Sequence, residues 1–328
     1  MGHSTIGGLP SPVFYPSVSS VSKNTWTTLD HIELLVSFNH PQFLVSALDI
    51  YKYQNNKQLI SALRKANSQN QVVLYDSGIY EVVWGKNRKW CRKRYIKTLK
   101  RNNFSHAFDF DLYCTEQKKN ISDHITKSVR STAGQLKRQA ISPILHGSSV
   151  EEFIDAGIRV SNSLAPKVIA IPERELGKGI LEITANIKSI RNAFNALDLY
   201  QPIHILGTGN PLSMLAYYFA GADSFDGLDW CQTVVDFETC TLHHPLHLDL
   251  YKHQSEYGAE ESLSFHTRCY LHNLEFYSTW TDKLQSIQTP EAMDDLLQQY
   301  FDGTCYDMLS NILVSHSKLS ESNEALAS

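Results

Sequence analysis

Asp226 and Asp76 are the residues best placed to do chemistry, because each carboxylate ends a short apolar run of the kind that forms a buried parallel strand. A carboxylate there can attack as a nucleophile or move a proton. Around Asp226, His204-Ile205-Leu206 stops at Gly207-Thr208-Gly209-Asn210-Pro211. Pro211 predicts the first turn of a helix running to about Gly221, and Ala222 to Phe225 predicts the strand that delivers Asp226. Around Asp76, the run Gln71-Val72-Val73-Leu74-Tyr75 ends in Asp76-Ser77-Gly78. An aspartate after a strand also serves as a helix N-cap or turn former, so position alone leaves both readings open.

The elements that must position these acids alternate along the chain. Strands are predicted at Ile32 to Val36, Val72 to Tyr75, His106 to Phe110, Pro143 to Leu145, Val168 to Ile171, Ile203 to Leu206 and Ala222 to Phe225, with an eighth near Cys231 to Asp236. Amphipathic stretches separate them, which gives a parallel α/β sheet. That order fits an open doubly wound sheet as well as a closed barrel. The 328 residues, 42% of them hydrophobic, can bury the core of one large α/β domain. Ser315 to Ser328, rich in Ser and Glu, reads as a solvated or frayed tail.

No run has the length of apolar residues that a spanning helix needs, and the N-terminus lacks a basic segment followed by an apolar one, so a cytoplasmic protein is expected. Cys91, Cys114, Cys231, Cys240, Cys269 and Cys305 have no framework spacing and read as reduced thiols.

A family likeness emerges from motifs in one order. Asp76-Ser77-Gly78, followed by Tyr80 and Glu81, resembles the DSGG-type motif of the tRNA-guanine transglycosylases. His204 to Pro211 and Phe225-Asp226 resemble the glycine-loop and FD segments of those enzymes. Pro12-Val13-Phe14-Tyr15-Pro16-Ser17-Val18 is similar to their opening hairpin, and Phe108-Asp109 to their FDE motif with Phe110 replacing the acid. Ile144-Leu145-His146-Gly147 stands in place of VQGG, and Ala170 to Glu175 in place of a glycine pair. Leu271-His272-Asn273-Leu274 resembles the LHNL helix. Two departures stand out: Ile79 replaces the second glycine of DSGG, and the C-x-C-x-x-C zinc ligand set is missing. The branch that inserts 7-deazaguanines into DNA therefore fits better than the tRNA enzymes.

The resemblance implies a TIM (β/α)8 barrel with a C-terminal helical extension, and a pentosyltransferase that exchanges guanine in DNA for a 7-deazaguanine such as preQ0. It implies Asp226 as nucleophile on the sugar, Asp76 as acid and base, and Asp109 as the carboxylate that binds the base. Asp111 and Asp229 are alternatives to Asp109 and Asp226 respectively. Ser77, His146, Gly147, Glu173, Gly207 and Gly209 are expected to line the pocket, with Glu173 and Glu175 on the strand that would meet the 7-substituent. The partners are DNA, or tRNA, and a free 7-deazaguanine base; a homo-oligomer or accessory proteins are compatible with this reading.

From Lys86 to Arg101 there are nine basic residues and no acidic one, interleaved with Trp90 and Tyr95, although the whole chain carries a net charge of −4. Arg88, Lys89, Arg92, Lys93, Arg94 and Lys97 are therefore expected to meet phosphates, with rings stacking on exposed bases. A solvated helix paired with acids elsewhere is the alternative. No cofactor is required, but Cys240, His243, His247 and His272 have a spacing compatible with a structural Cys/His₃ zinc site; the same segment also reads as an alternating strand. Two other functions remain open, tRNA-guanine exchange and a noncatalytic nucleic-acid-binding subunit, and the presence of Asp76, Asp109 and Asp226 together speaks against the second.

Overall fold

Short strands with side chains alternating inward and outward build the centre of this protein, which a computed structural model describes at residues 8–22, 26–85, 89–102, 104–111, 121–137 and 140–314. Lys86, Arg88, Cys114 and the tail from Ser315 lie outside those residues. The first half runs β1 (Val13–Val18), α1 (Thr28–Ser37), β2 (Gln42–Ser46), α2 (Ala47–Lys52), α3 (Lys57–Ser68), β3 (Val72–Asp76), α4 (Ile79–Gly85), α5 (Arg92–Arg101), β4 (His106–Phe108) and α6 (Ile121–Leu136). It continues through β5 (Ile141–Ser142), α7 (Val150–Leu164), β6 (Ile169–Pro172), α8 (Ile180–Phe194), β7 (Ile203–Leu206), α9 (Pro211–Ala220) and β8 (Ser224–Gly227).

Eight strands form one parallel sheet in the order β5-β4-β3-β2-β1-β8-β7-β6. The two ends approach where Leu145 N–H donates to the Ala170 carbonyl at 2.8 Å and Ala170 N–H to the Pro143 carbonyl at 3.0 Å, making a nearly closed TIM-like barrel. Val13, Tyr15, Leu44, Val72, Leu74, Phe108, Ile144, Val168 and Ala170 fill its interior, and the helices pack on the outward residues. Beyond the barrel come α10 (Asp229–Gln232), β9 (Val234–Val235), β10 (Leu242–His243), α11 (Leu248–Tyr251), α12 (Glu256–Ala259), α13 (Phe265–Ser286), α14 (Pro290–Tyr300) and α15 (Gly303–Val314). No helix among the described residues is long and apolar enough to cross a membrane.

Three expectations are corrected. Ile32 to Val36 is not a strand but the middle of α1: Thr27 and Asp30 close a capping box, and the buried residues fall on one helical side. The second strand is instead β2, directly after Pro41. The Pro12 to Val18 segment is not a hairpin but β1, paired parallel with β2 and β8. Because β1 fills the remaining place in the ring, Cys231 to Asp236 supplies no barrel strand; Val234 and Val235 pair antiparallel with β10 outside it. The helix that begins at Pro211 ends at Ala220, as the sequence predicts; Asn210 is its N-cap, and Gly221 follows in the left-handed conformation.

Candidate active site

The carboxyl ends of β1, β3 and β8 bring Asp226 and Asp76 to one end of the barrel. Two residues beyond Leu74 in β3, Asp76 keeps the inward parity of the strand. In β8, Asp226 opposes Tyr15 of β1 in the parallel register.

Asp226 is 7% exposed and held from three sides. Ser17 donates to Oδ2 at 2.5 Å, Gly207 N–H donates to Oδ1 at 3.1 Å, and His204 Nε2 lies 3.1 Å from Oδ1. The other ring nitrogen of His204 is 2.8 Å from the Ser224 hydroxyl, so the imidazole spans two groups of β8 from inside the barrel. Gly207 donates from a φ of +86°, a left-handed conformation that suits glycine. At Gly209 a side chain has no room, because a Cβ would lie 2.1 Å from Asp229 Oδ2. Tyr277 of α13 donates to the Gly209 carbonyl at 2.5 Å and stacks on Phe14 of β1, with ring centroids 4.1 Å apart. The residues of the LHNL-like segment thus sit in a helix, as expected, and Asn273 ties it to the Trp230 and Thr233 carbonyls and the Val235 N–H.

Asp76 ends β3 in a turn that only glycine completes. Gly78 has a φ of +78°, and a Cβ there would lie 2.6 Å from Leu48 Cβ. Its N–H donates to Asp76 Oδ2 at 2.9 Å. Burial, and after it the negative charge of Glu81, push the Asp76 carboxyl up to about 7; the Gly78 and Ser77 amides oppose the rise, and Asp111 adds to it. Glu81 is itself pushed upward by burial and by Asp49, while it accepts the Ser19 hydroxyl at 2.5 Å. A carboxyl in this setting is half-protonated near neutral pH.

Asp109 does not face this end of the barrel. One position past the inward Phe108, it turns to the helices, where Ser128, Thr132 (2.6 Å) and the Arg92 guanidinium (3.5 Å) surround its carboxylate. The acid on the inward side is Asp111. Its Oδ1 lies 2.7 Å from His146 Nε2, and His146 Nδ1 lies 2.9 Å from Glu175, so an imidazole joins the ends of β4, β5 and β6. Burial alone would lower the His146 pKa, but hydrogen bonds and charge from Asp111 and Glu175 outweigh it and raise it to about 9. With a folded value above the unfolded one, His146 contributes stability that is complete below about pH 6.5 and lost as pH rises through about 9. Thermal melts are therefore expected to show the wild type losing stability relative to His146→Gln between those pH values; parallel curves would show that no proton is held there.

The other expected pocket residues divide. Glu173 accepts the Tyr217 hydroxyl at 3.0 Å, and burial followed by Asp229 and Asp226 raises its pKa. Ser77 is buried and offers its carbonyl to the Trp90 indole at 2.9 Å. Gly147 packs on Phe153, which a Cβ would approach to 3.2 Å. Alternation along β1 reveals Ser17, a polar residue two places beyond the inward Tyr15; His204 and Glu81 stand in the segments around Gly207 and Asp76, but their roles depend on tertiary neighbours.

In the basic run, Arg92 is spent on Asp109, Ser128 and Thr132, and Arg94 lies over the Tyr51 ring at 5.6 Å. Lys89, Lys93 and Lys97 are exposed, and Arg88 lies outside the described residues. Cys240, His243, His247 and His272 do not converge, and among the described residues no three His, Cys, Asp or Glu groups assemble as a metal site. His272 instead meets the Ser255 hydroxyl at 2.6 Å and the Val235 carbonyl at 2.8 Å. His243 stacks on Tyr251 with centroids 4.7 Å apart. The five described cysteines are free thiols.

No protein-family model matches the chain. No curated protein matches it either.

Proposed function

We propose that this protein is a base-exchange transglycosylase that replaces guanine in DNA with a 7-deazaguanine such as preQ0. The observation that supports this reading best is a division of labour between two acids at one barrel end. Asp226 is oriented by an N–H, a hydroxyl and an imidazole, which suits a nucleophile. Asp76 sits near 7, which suits a group that must both give and take a proton.

In the first displacement an Asp226 oxygen bonds to C1′ of the target nucleotide as the C1′–N9 bond breaks, and protonated Asp76 gives its proton to the departing guanine. In the second, Asp76 takes the proton of the incoming 7-deazaguanine, whose nitrogen attacks C1′ and releases Asp226. Two inversions retain the configuration of the sugar. Water must be excluded while the ester exists, or hydrolysis leaves an abasic site. The target base must leave the stack to reach a barrel end, at a cost of about a few kcal/mol. In this reading Asp111 and Glu175, joined through His146, are the carboxylates nearest to a bound base, and Asp109 acts as a strut.

Incubation with guanine-containing DNA and labelled preQ0 is expected to place label in DNA. Uptake into tRNA alone would overturn the DNA assignment, and uptake into neither nucleic acid would overturn base exchange.

A further inference from the structure

Charge is distributed very unevenly along this chain. Between Tyr51 and Phe108 lie 13 of the 30 Lys and Arg residues but only two of the 34 acids, Asp76 and Glu81. Both acids belong to the barrel end described above, so neither neutralises the outer surface of this segment. On that surface Lys57, Arg64 and Lys65 of α3 and Lys93, Lys97, Lys100 and Arg101 of α5 are exposed.

The two helices do not close against each other. The main partner of α3 is α1, and that of α5 is α2, which leaves a groove of about 450 Å³ between them. Arg64 enters it from α3 and Arg101 from α5, Gln54, Asn55 and Asn102 add amides, and no acid lines it. Arg101 donates to the Gln54 side chain, which fixes its guanidinium at the rim. Guanidinium and amide donors with no competing carboxylate match the oxygens of a phosphodiester.

We propose that this groove is a DNA-backbone site on the flank of the barrel, holding duplex away from the extruded nucleotide while the lysines of α5 extend the track. This rests on the reading that DNA is the substrate. It also reassigns the basic run: its half-buried arginines fasten α5, and its exposed lysines act together with α3, a helix that the run does not include.

The test is duplex binding over a range of salt by wild type, Arg64→Gln/Arg101→Gln and Arg64→Glu/Arg101→Glu, each checked for an unchanged melting temperature. The neutral pair is expected to weaken binding by about tenfold and to reduce the slope of log affinity against log salt by about two, one per lost phosphate contact. The acidic pair should weaken it further. Exchange at saturating duplex should be unchanged, the loss appearing in KM. Wild-type affinity and slope in both variants would overturn the groove while sparing base exchange. Weakened binding without any exchange by wild type would support the groove and remove the enzymatic reading. Preference for an RNA hairpin, lost in the same variants, would overturn DNA as the occupant.

Discussion

Asp226→Asn is expected to reduce base exchange by at least about a thousandfold, the scale of losing a covalent nucleophile. The asparagine keeps the shape of the side chain, but its amide nitrogen cannot accept from Gly207 N–H or Ser17, and the remaining oxygen is a poor nucleophile. The melting temperature should change little, because the amide fills the same space. Wild type quenched with DNA in the absence of free base should carry a covalent adduct on the Asp226 peptide, and the variant none. Exchange within tenfold of wild type would remove Asp226 from the reaction, with Asp229, which sits against Gly209, the next acid to test.

The second large effect concerns the proton. Asp76→Asn should lower exchange by about a hundredfold or more, the usual contribution of a general acid and base. Glu81→Gln tests the origin of the unusual acidity. Burial remains in that variant while the negative neighbour is gone, so the Asp76 pKa falls from about 7 and the alkaline limb of the rate profile moves to lower pH by roughly one unit. Linkage gives a second signature with a fixed sign. The folded value of Asp76 lies above its unfolded one, so its contribution to stability is complete below about pH 4 and lost as pH rises through about 7. Above that pH Asp76→Asn should melt higher than wild type, and below about pH 4 the advantage should vanish. A rate profile unmoved by Glu81→Gln would separate Glu81 from the proton on Asp76.

How much of this was legible in the chain depends on which contacts are local. The β7–α9–β8 unit could be read from Gly207, Pro211 and Gly221, because those residues carry their own backbone preferences. The segment at Ile32 misled because a compact apolar cluster fits a buried strand and a half-buried helix equally; the Thr27 to Asp30 capping box was the local signal that decided it. Asp76 and Asp226 were visible as acids at strand ends. That Asp111, and not Asp109, would meet His146 was not visible: both lie an odd number of positions past the inward Phe108, and the path of the chain after β4 stops decides between them. The clasp of His146 by Asp111 and Glu175 joins three strands and leaves no trace in any short window.

The seating of β1 between β2 and β8 bears on the order in which the surroundings of Asp226 can be completed. Ser17 emerges from the ribosome long before Asp226, and the Tyr277 phenol that steadies the glycine loop emerges later still. Without α13 the Gly209 carbonyl has no phenol donor and Phe14 no stacked ring, so the surroundings of Asp226 are complete only once the ring and its cap are joined. A fragment that ends before α13 lacks the phenol that steadies the glycine loop beside Asp226.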